Sequence, residues 1–304
     1  MAATIKNIPK YMMDEMNAIK KSLSQYPGHK MVASSLGKFI SQDMVAGLIG
    51  CIIPESGSNH TILNEKHDVV IPLGMKSFDN NNFEIKVAVA SIKKYFKCLN
   101  RIIIVTQIDP IKELGDDIIW VYQDDVYKHD KDANIIEKVR TAIEKVPDLT
   151  DDFIMWSDDQ FITKDTEWSD TTPRYMKIYN GSTLPWFLGM ARARIWYKRL
   201  LKCFERFPRK GIGCRFFNPH IPSPFNKKKF IEMCNKFPYK TECGITIYSL
   251  YYNFINERGV PNFDEYHCTS GETYWNDCRW VGFYNSSMRN PEFVEKLKNM
   301  FDIK

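Results

Sequence analysis

The sequence predicts an α/β fold, with a mainly parallel sheet flanked by helices and a helical, basic C-terminal lobe. Three observations carry this. Short apolar runs recur at 68–74, 101–106, 118–122 and 153–156, and runs without polar alternation suit strands buried on both faces. Helical stretches alternate with them, which argues for parallel strands joined by right-handed crossovers. The charge is also uneven. Residues 192–240 carry fourteen Lys and Arg against two acids, Glu205 and Glu232.

Taken in order, the first strand is Asp68-Val69-Val70-Ile71, closed by Pro72-Leu73-Gly74 as a turn. A helix over 84–97 places Ile85, Ala88, Val89, Ile92 and Phe96 on one face. Arg101-Ile102-Ile103-Ile104-Val105-Thr106 is the second strand and 118–122 the third. A helix over 132–146 puts Ile135, Val139, Ala142, Ile143 and Val146 toward the core. Strand four, Phe153 to Trp156, runs into Ser157-Asp158-Asp159-Gln160. Beyond it come a basic helix near 189–206, a Pro-rich extended segment over 216–225, and helices near 226–237 and 244–258. A last helix has Asn290 as N-cap and Pro291 in its first turn. Residues 1–64 read as an N-terminal extension. The remainder, 65–304, reads as one domain with halves at 65–170 and 171–304.

With 304 residues and 44% hydrophobic content the chain can bury a sizeable core. It has no apolar run of about 18 residues to span a bilayer. Its start lacks the apolar core and cleavage site of a signal peptide, so a cytoplasmic protein without a membrane partner is expected. The eight cysteines form no close C-x-x-C pair, which excludes a zinc knuckle or a C-x-x-C redox motif. No G-x-G-x-x-G and no G-x-x-x-x-G-K-[ST] is present, which argues against a nicotinamide dehydrogenase and a P-loop kinase. The net charge of +5 is mild. The basic stretch is where polyphosphate or a DNA backbone would be attracted, although a solvated lysine-rich surface reads the same.

The richest constellation is the acid pair after the fourth strand. Ligands of open α/β sheets sit outside the carboxyl ends of the strands. Adjacent carboxylates there repel, and favour either solvent or a divalent cation. Mg²⁺ or Mn²⁺ would take oxygens from Asp158 and Asp159 and complete its shell with donor phosphates, stabilising a departing nucleoside diphosphate. The second candidate is the helix beginning Lys131-Asp132-Ala133-Asn134. Asn134, Lys138 and Thr141 share a face away from the apolar stripe and suit a phosphate or a sugar hydroxyl, or simply an outer polar face. In the third, Asn218-Pro219-His220-Ile221-Pro222, a His set between prolines is a candidate general base, though a lone His is more often structural. The fourth is Tyr274-Trp275-Asn276-Asp277, which suits acceptor stacking and a late metal ligand, or a plain turn.

The order of these motifs resembles the Stealth sugar-phosphate transferases and the wider GT-A glycosyltransferase fold. The resemblance runs over roughly 67–285. It rests on Asp68-Val69-Val70, the helix from Glu84 with Ser91-Ile92-Lys93-Lys94-Tyr95, Ile103-Ile104-Val105-Thr106, the helix bearing Asn134, and Trp156-Ser157-Asp158-Asp159-Gln160-Phe161. Two shorter blocks, His220-Ile221-Pro222 and Asn276-Asp277, look like the family's "H-x-P" and "N-D". One block departs: Pro72-Leu73-Gly74-Met75 stands where the family has "T-W-V-D/N-G", so plain glycosyl transfer fits as well as phosphosugar transfer. The wording Lys131-Asp132-Ala133-Asn134-Ile135-Ile136 and Ser157-Asp158-Asp159-Gln160-Phe161 is also similar to predicted glycosyltransferases of T-even-like bacteriophages, some of which glycosylate hydroxymethylcytosine in DNA.

The resemblance implies a GT-A-like enzyme moving a sugar from a nucleoside-diphosphate sugar, a UDP-sugar first, to a hydroxyl. On this reading Asp159, His220 and Asp277 are catalytic. Pro72, Gly74, Asn134, Lys138 and Asp158 line the donor, and Asp158 and Asp159 hold the metal. If the acceptor is double-stranded DNA, Arg192, Arg194, Lys227, Lys228 and Lys229 meet its phosphates, with Trp196, Phe216, Phe217 and Phe225 available to stack on a base. The alternatives are a sugar-1-phosphate transferase acting on a polysaccharide and a non-enzymatic DNA-binding protein on a transferase scaffold.

Overall fold

The computed structural model describes residues 65–74, 82–125, 131–180, 182–205, 214–217, 221–240, 246–262, 265–268, 278–283 and 287–303. All of them belong to one compact unit, Asn64–Lys304. The expected extension, 1–64, lies outside the described residues.

The central sheet has five strands. β1 (His67–Pro72), β2 (Leu99–Thr106), β3 (Ile118–Tyr122) and β4 (Asp152–Met155) are joined by β8 (Ser223–Asn226) in the order β3-β2-β1-β4-β8. The first four pair parallel and β8 pairs antiparallel to β4. Pro224 is tolerated because β8 is an edge strand, where one row of N–H groups needs no partner.

Helices cover both faces, which explains the unbroken apolar runs. α1 (Phe83–Tyr95) packs Ile85, Ala88, Val89 and Ile92 against Val69, Ile71, Ile102, Ile104, Ile154 and Trp156. On the opposite face α2 (Lys131–Lys145) packs Ala133, Ile136, Val139 and Ala142 against Val70, Ile103, Val105, Phe153 and Met155. Successive strand residues therefore serve different cores, as the twofold repeat of a strand requires. The result is a Rossmann-like arrangement.

At the amino edge of the sheet the buried charge of Asp68 is compensated. Asp68, with no exposed surface, takes Arg101 at 2.7 and 3.0 Å, Asn100 at 2.8 Å and the Thr150 amide at 3.1 Å. A carboxylate removed from water is tolerated when its lone pairs are met this way.

The second half adds two three-stranded sheets. β5 (Gln160–Ile162) pairs with β11 (Trp280–Phe283), which pairs with β10 (Glu265–Cys268). β6 (Arg174–Tyr179) lies between β7 (Cys214–Phe217) and β9 (Val260–Pro261). The single helix expected near 189–206 is two, α3 (Leu184–Ala193) and α4 (Ile195–Glu205). Arg194 breaks them by adopting an extended conformation, φ −139° and ψ 126°. α5 (Lys227–Lys236), α6 (Ile247–Phe254) and α7 (Pro291–Phe301) follow. Asn290 caps α7 as expected, its side chain accepting from the Glu292 and Phe293 amides. No helix among the described residues is long and apolar enough to cross a membrane.

Candidate active site

The strand order reverses between β1 and β4. From β1 the chain moves outward to β2 and β3, then returns to place β4 on the other side of β1. A crevice opens at the carboxyl ends of two such strands because their connections leave in opposite directions. Leu73 and Gly74 follow β1 into this crevice, and Trp156 to Asp159 follow β4.

The turn that carries the acids is fastened at both ends. The Trp156 amide donates to Val70 O at 3.0 Å, and its indole Nε1 donates to Gln160 O at 3.1 Å, bridging the turn. Gln160 then opens β5, opposite Gly282. Trp156 has no exposed surface and packs edge-on against Phe96 and Trp280. Asp158 and Asp159 are thus held as a partly buried pair at the sheet's carboxyl edge.

Their surroundings disfavour the charged form of Asp158. Burial pushes the Asp158 carboxyl up to about 6, and repulsion from Asp159 adds to this, while Lys131 and Lys138 oppose it. Asp159 Oδ1 is buried without a hydrogen-bond partner. Tyr248 of α6 is buried close to this turn: burial first and the Asp159 charge second push its phenol well above the ordinary range, and its Oη has no hydrogen-bond partner. Lys131, in the first turn of α2 and exposed, is the cation with the largest effect on Asp158. Desolvation works against its ammonium, and the carboxylates Asp159, Asp158, Asp132 and Glu84 together raise its pKa.

Lys138 has a different role from the one its sequence position suggests. It is 2% exposed, and its ammonium meets Leu73 O at 2.6 Å, Gln107 Oε1 at 2.8 Å and Asp125 Oδ1 at 2.6 Å. An ammonium has three N–H groups, and all three are committed. Desolvation lowers its pKa while the Asp125 contact raises it. Lys138 therefore ties together the segments leaving β1, β2 and β3 and has no donor left for a bound phosphate. Thr141, one turn on, donates to Gln123 Oε1 at 3.0 Å. The face of α2 read as lying away from the apolar stripe, open to a ligand or to solvent, is turned toward the strand ends. Asn134 lies between Lys131 and Lys138 on that face and is partly buried.

Of the other donor-side residues, Pro72 is buried within β1 opposite Val105. Gly74 is partly exposed, and a Cβ built there would meet nothing within 4 Å, so the end of β1 has open space beside it. A cleft of about 730 Å³ lies on the same edge, between Asn82 at the start of α1 and the segment from Gln107 to Glu113 after β2. Gln107 links it to the Lys138 clamp.

His220 and Asp277 lie outside the described residues. Ile221, the next residue, is buried in the same core as Trp156, and Ser223 pairs with Met155. The chain therefore enters β8 at the carboxyl end of β4.

The basic lobe is not one surface. Arg192 and Arg194 are exposed at the end of α3. Lys227, Lys228 and Lys229 instead open α5 just after Asn226, which pairs with Asp152 at the amino end of β4. Lys227 is bound there to Leu149 O at 2.9 Å and to Asp151 at 3.1 Å. At about 3.3 Å per strand residue, that end is more than ~13 Å from the acid pair. Phe216, Phe217 and Phe225 are at most 2% exposed. Correcting the expectation, they are core residues of β7 and β8 with no face free to stack on a base.

Sequence reasoning missed Lys131, Gln107 and Tyr248. Lys131 was within the motif that pointed to Asn134, and its place at the helix start was the available signal. Nothing local marked Tyr248, which comes from a helix 88 positions beyond Gln160.

The residues present fit a divalent ion of a particular kind. Among the described residues no group of three or more His, Cys, Asp or Glu gathers as a ligand set. Two carboxylates, one with a buried oxygen lacking a partner, are what Mg²⁺ uses when phosphates and water supply the rest of its shell. No protein-family model matches the chain, and no curated protein matches it.

Proposed function

We propose that the chain is a GT-A-like glycosyltransferase that takes its sugar from a nucleoside-diphosphate donor, a UDP-sugar first, and delivers it to a hydroxyl. The observation that carries this reading is the position of Asp158 and Asp159. They form a partly buried acid pair on a braced turn, at the point where the order of a parallel sheet reverses, and Asp159 Oδ1 is buried without a hydrogen-bond partner. Such a position selects a ligand that brings positive charge with it, and a metal-bound diphosphate does so.

Asp158 and Asp159 would hold Mg²⁺ or Mn²⁺. When bound, that ion offsets the charge that develops on a departing diphosphate. The chain's own contribution is positional. The Trp156–Gln160 bond fixes the turn. Lys138 fixes the three strand-end segments that form the crevice floor. The open space beside Gly74 lets a donor approach the backbone, and the cleft beside Asn82 and Gln107 has room for a nucleoside. Tyr248, held neutral, leaves a buried hydroxyl without a partner near this turn and adds no negative charge.

Geometry bears on the acceptor too. Lys227, Lys228 and Lys229 lie at the far edge of the sheet, so a DNA acceptor at the acid pair would not draw on them. The test is incubation with a panel of nucleotide sugars and Mn²⁺, reading released nucleotide, with hydroxymethylcytosine duplex or a polysaccharide as acceptor. Turnover should fall by at least ~10²-fold in Asp158→Asn and Asp159→Asn, the loss typical of a group that stabilises developing charge. Full turnover in both variants, or in excess chelator, would remove the acid pair from the chemistry. Release without any acceptor, or none with any donor, would do the same for the transferase reading.

A further inference from the structure

Residues 171–204 contain no acid, and they carry seven Lys and Arg. They span β6, α3 and most of α4. Only part of that charge is used inside the protein. Arg199 faces Asp132 at 3.7 Å, and Lys177 reaches from β6 to lie 4.4 Å from the centre of the Trp186 ring. Arg192, Arg194, Lys198 and Lys202 are exposed, and none of them forms an ion pair among the described residues.

The two helices present this charge on one side. Phe187 and Ala191 of α3 share a single core with Tyr197, Leu200 and Phe204 of α4, so their outward faces look away from the same interior. α3 is firmly placed. The turn before it is closed by Asn180, whose side-chain oxygen accepts from the Ser182 and Thr183 amides at 3.1 Å each, and by Thr183 Oγ1, which donates to Ile178 O at 2.6 Å. Its outer face is not that of an ordinary surface helix, which turns charged and polar side chains to water. α3 turns out Pro185, Leu188 and Gly189, with Arg192 as its only charge. Leu188 is 45% exposed, and Trp186, on the flank of this stripe, is 36% exposed. The indole is held in place edge-on against Tyr197, with centroids 5.6 Å apart.

Apolar side chains among unpaired cations select their partner. A second copy of this chain would bring the same cations and be repelled. DNA offers phosphates, but its base edges ask chiefly for hydrogen bonds, and the outer stripe of α3 supplies no side-chain donor before Arg192. The surface of an anionic bilayer offers both phosphates for the cations and acyl chains for the apolar groups, and an indole settles readily at the headgroup level.

We propose that the outer face of α3 and α4 is a docking surface for anionic lipid. α3 lies along the headgroup layer with Leu188 and Trp186 turned toward the acyl chains, while Arg192, Arg194, Lys198 and Lys202 meet lipid phosphates. This is attachment to one leaflet: α3 has 10 residues, a length of about 15 Å. It departs from the expectation of no membrane partner, which was drawn from the lack of a long apolar run. Such a run is needed to cross a bilayer and not to lie on one. No donor, acceptor or metal is involved, so the proposal stands apart from the transfer reading.

The test is flotation of the full chain with vesicles of phosphatidylcholine alone, and of phosphatidylcholine mixed with phosphatidylglycerol, at low and high salt. Binding should require the anionic lipid and weaken with salt, because exposed charges are screened. Lys198→Ser combined with Lys202→Ser should weaken it by roughly 20-fold, at about fivefold per cation near an anionic leaflet. Leu188→Gln should weaken it by roughly fivefold, since only the exposed part of the side chain has further apolar area to bury. Brominated acyl chains should quench the tryptophan fluorescence of wild type, and quench Trp186→Phe less. Leu188→Gln, at an exposed position, carries the test if Trp186→Phe does not fold. Equal binding to both kinds of vesicle, or to neither, overturns the proposal. So does anionic binding that the lysine and leucine variants leave unchanged. Adsorption without bromine quenching, together with tighter binding to duplex DNA at the same salt, assigns the face to nucleic acid and overturns it too.

Discussion

Replacing Asp158 with Asn should make the protein more stable, although it removes a residue of the proposed active site. The Asp158 carboxyl is raised from an ordinary 3.8 to about 6, chiefly by burial and then by Asp159. Below pH 4 it is protonated in both folded and unfolded chains, and no penalty exists. Between about 4 and 6 the folded chain holds a proton that the unfolded chain has released, so stability falls as pH rises through this window. Above 6 both states are ionised and the penalty is complete. Two pKa units correspond to about 3 kcal/mol, an upper figure because the side chain is only partly buried. Asn has the same shape without the charge. At pH 7.5 in chelator the variant should gain ~1–3 kcal/mol, or about 2–10 °C in melting temperature for a unit of this size. Paired thermal melts at pH 7.5 and pH 4 read this directly. Comparing the variant with wild type cancels the titration of carboxylates remote from the pair. A variant less stable than wild type at pH 7.5, or a difference that stays constant across the two pH values, would refute the argument.

Two further substitutions probe the frame around the site. Lys138→Met leaves the Asp125 carboxylate, Leu73 O and Gln107 without their shared cation. It should cost ~3–5 kcal/mol, the usual loss when one member of a buried pair is removed, and a denaturant titration showing under 1 kcal/mol would deny the clamp. Gly259→Ala forces a Cβ to within 2.6 Å of Pro173 O and 2.7 Å of the Phe217 ring, at a φ of +59°. A loss of ~1–3 kcal/mol is expected, and an unchanged melting temperature would show that the backbone can move aside.

How far the sequence showed all this follows from where each signal resides. The four parallel strands were readable because each is buried on both faces, and burial writes an unbroken apolar run. The acid pair was readable because it directly follows such a run. β5, of three residues, leaves no periodic trace, and its pairing with β11 joins segments more than a hundred positions apart. The polar face of α2 was misjudged for a physical reason. Amphipathic reasoning sends polar residues to solvent, yet Lys138 and Thr141 meet carbonyls and amides at the ends of the strands and are buried as firmly as Val139. The aromatics of the basic stretch were misjudged in the opposite sense. Charge averaged over 192–240 hid two strands, β7 and β8, whose Phe216, Phe217 and Phe225 point inward. The break at Arg194 is a local backbone choice that helical spacing on either side does not reveal.

The Lys138 clamp has a mechanical consequence. One ammonium is fastened to three separate chain segments, so α2 cannot advance by a single residue, about 1.5 Å, without releasing all three bonds at once. The helix is riveted in register to the sheet. Whatever adjusts when a ligand arrives at this edge does so by swinging side chains, over a floor that does not slide.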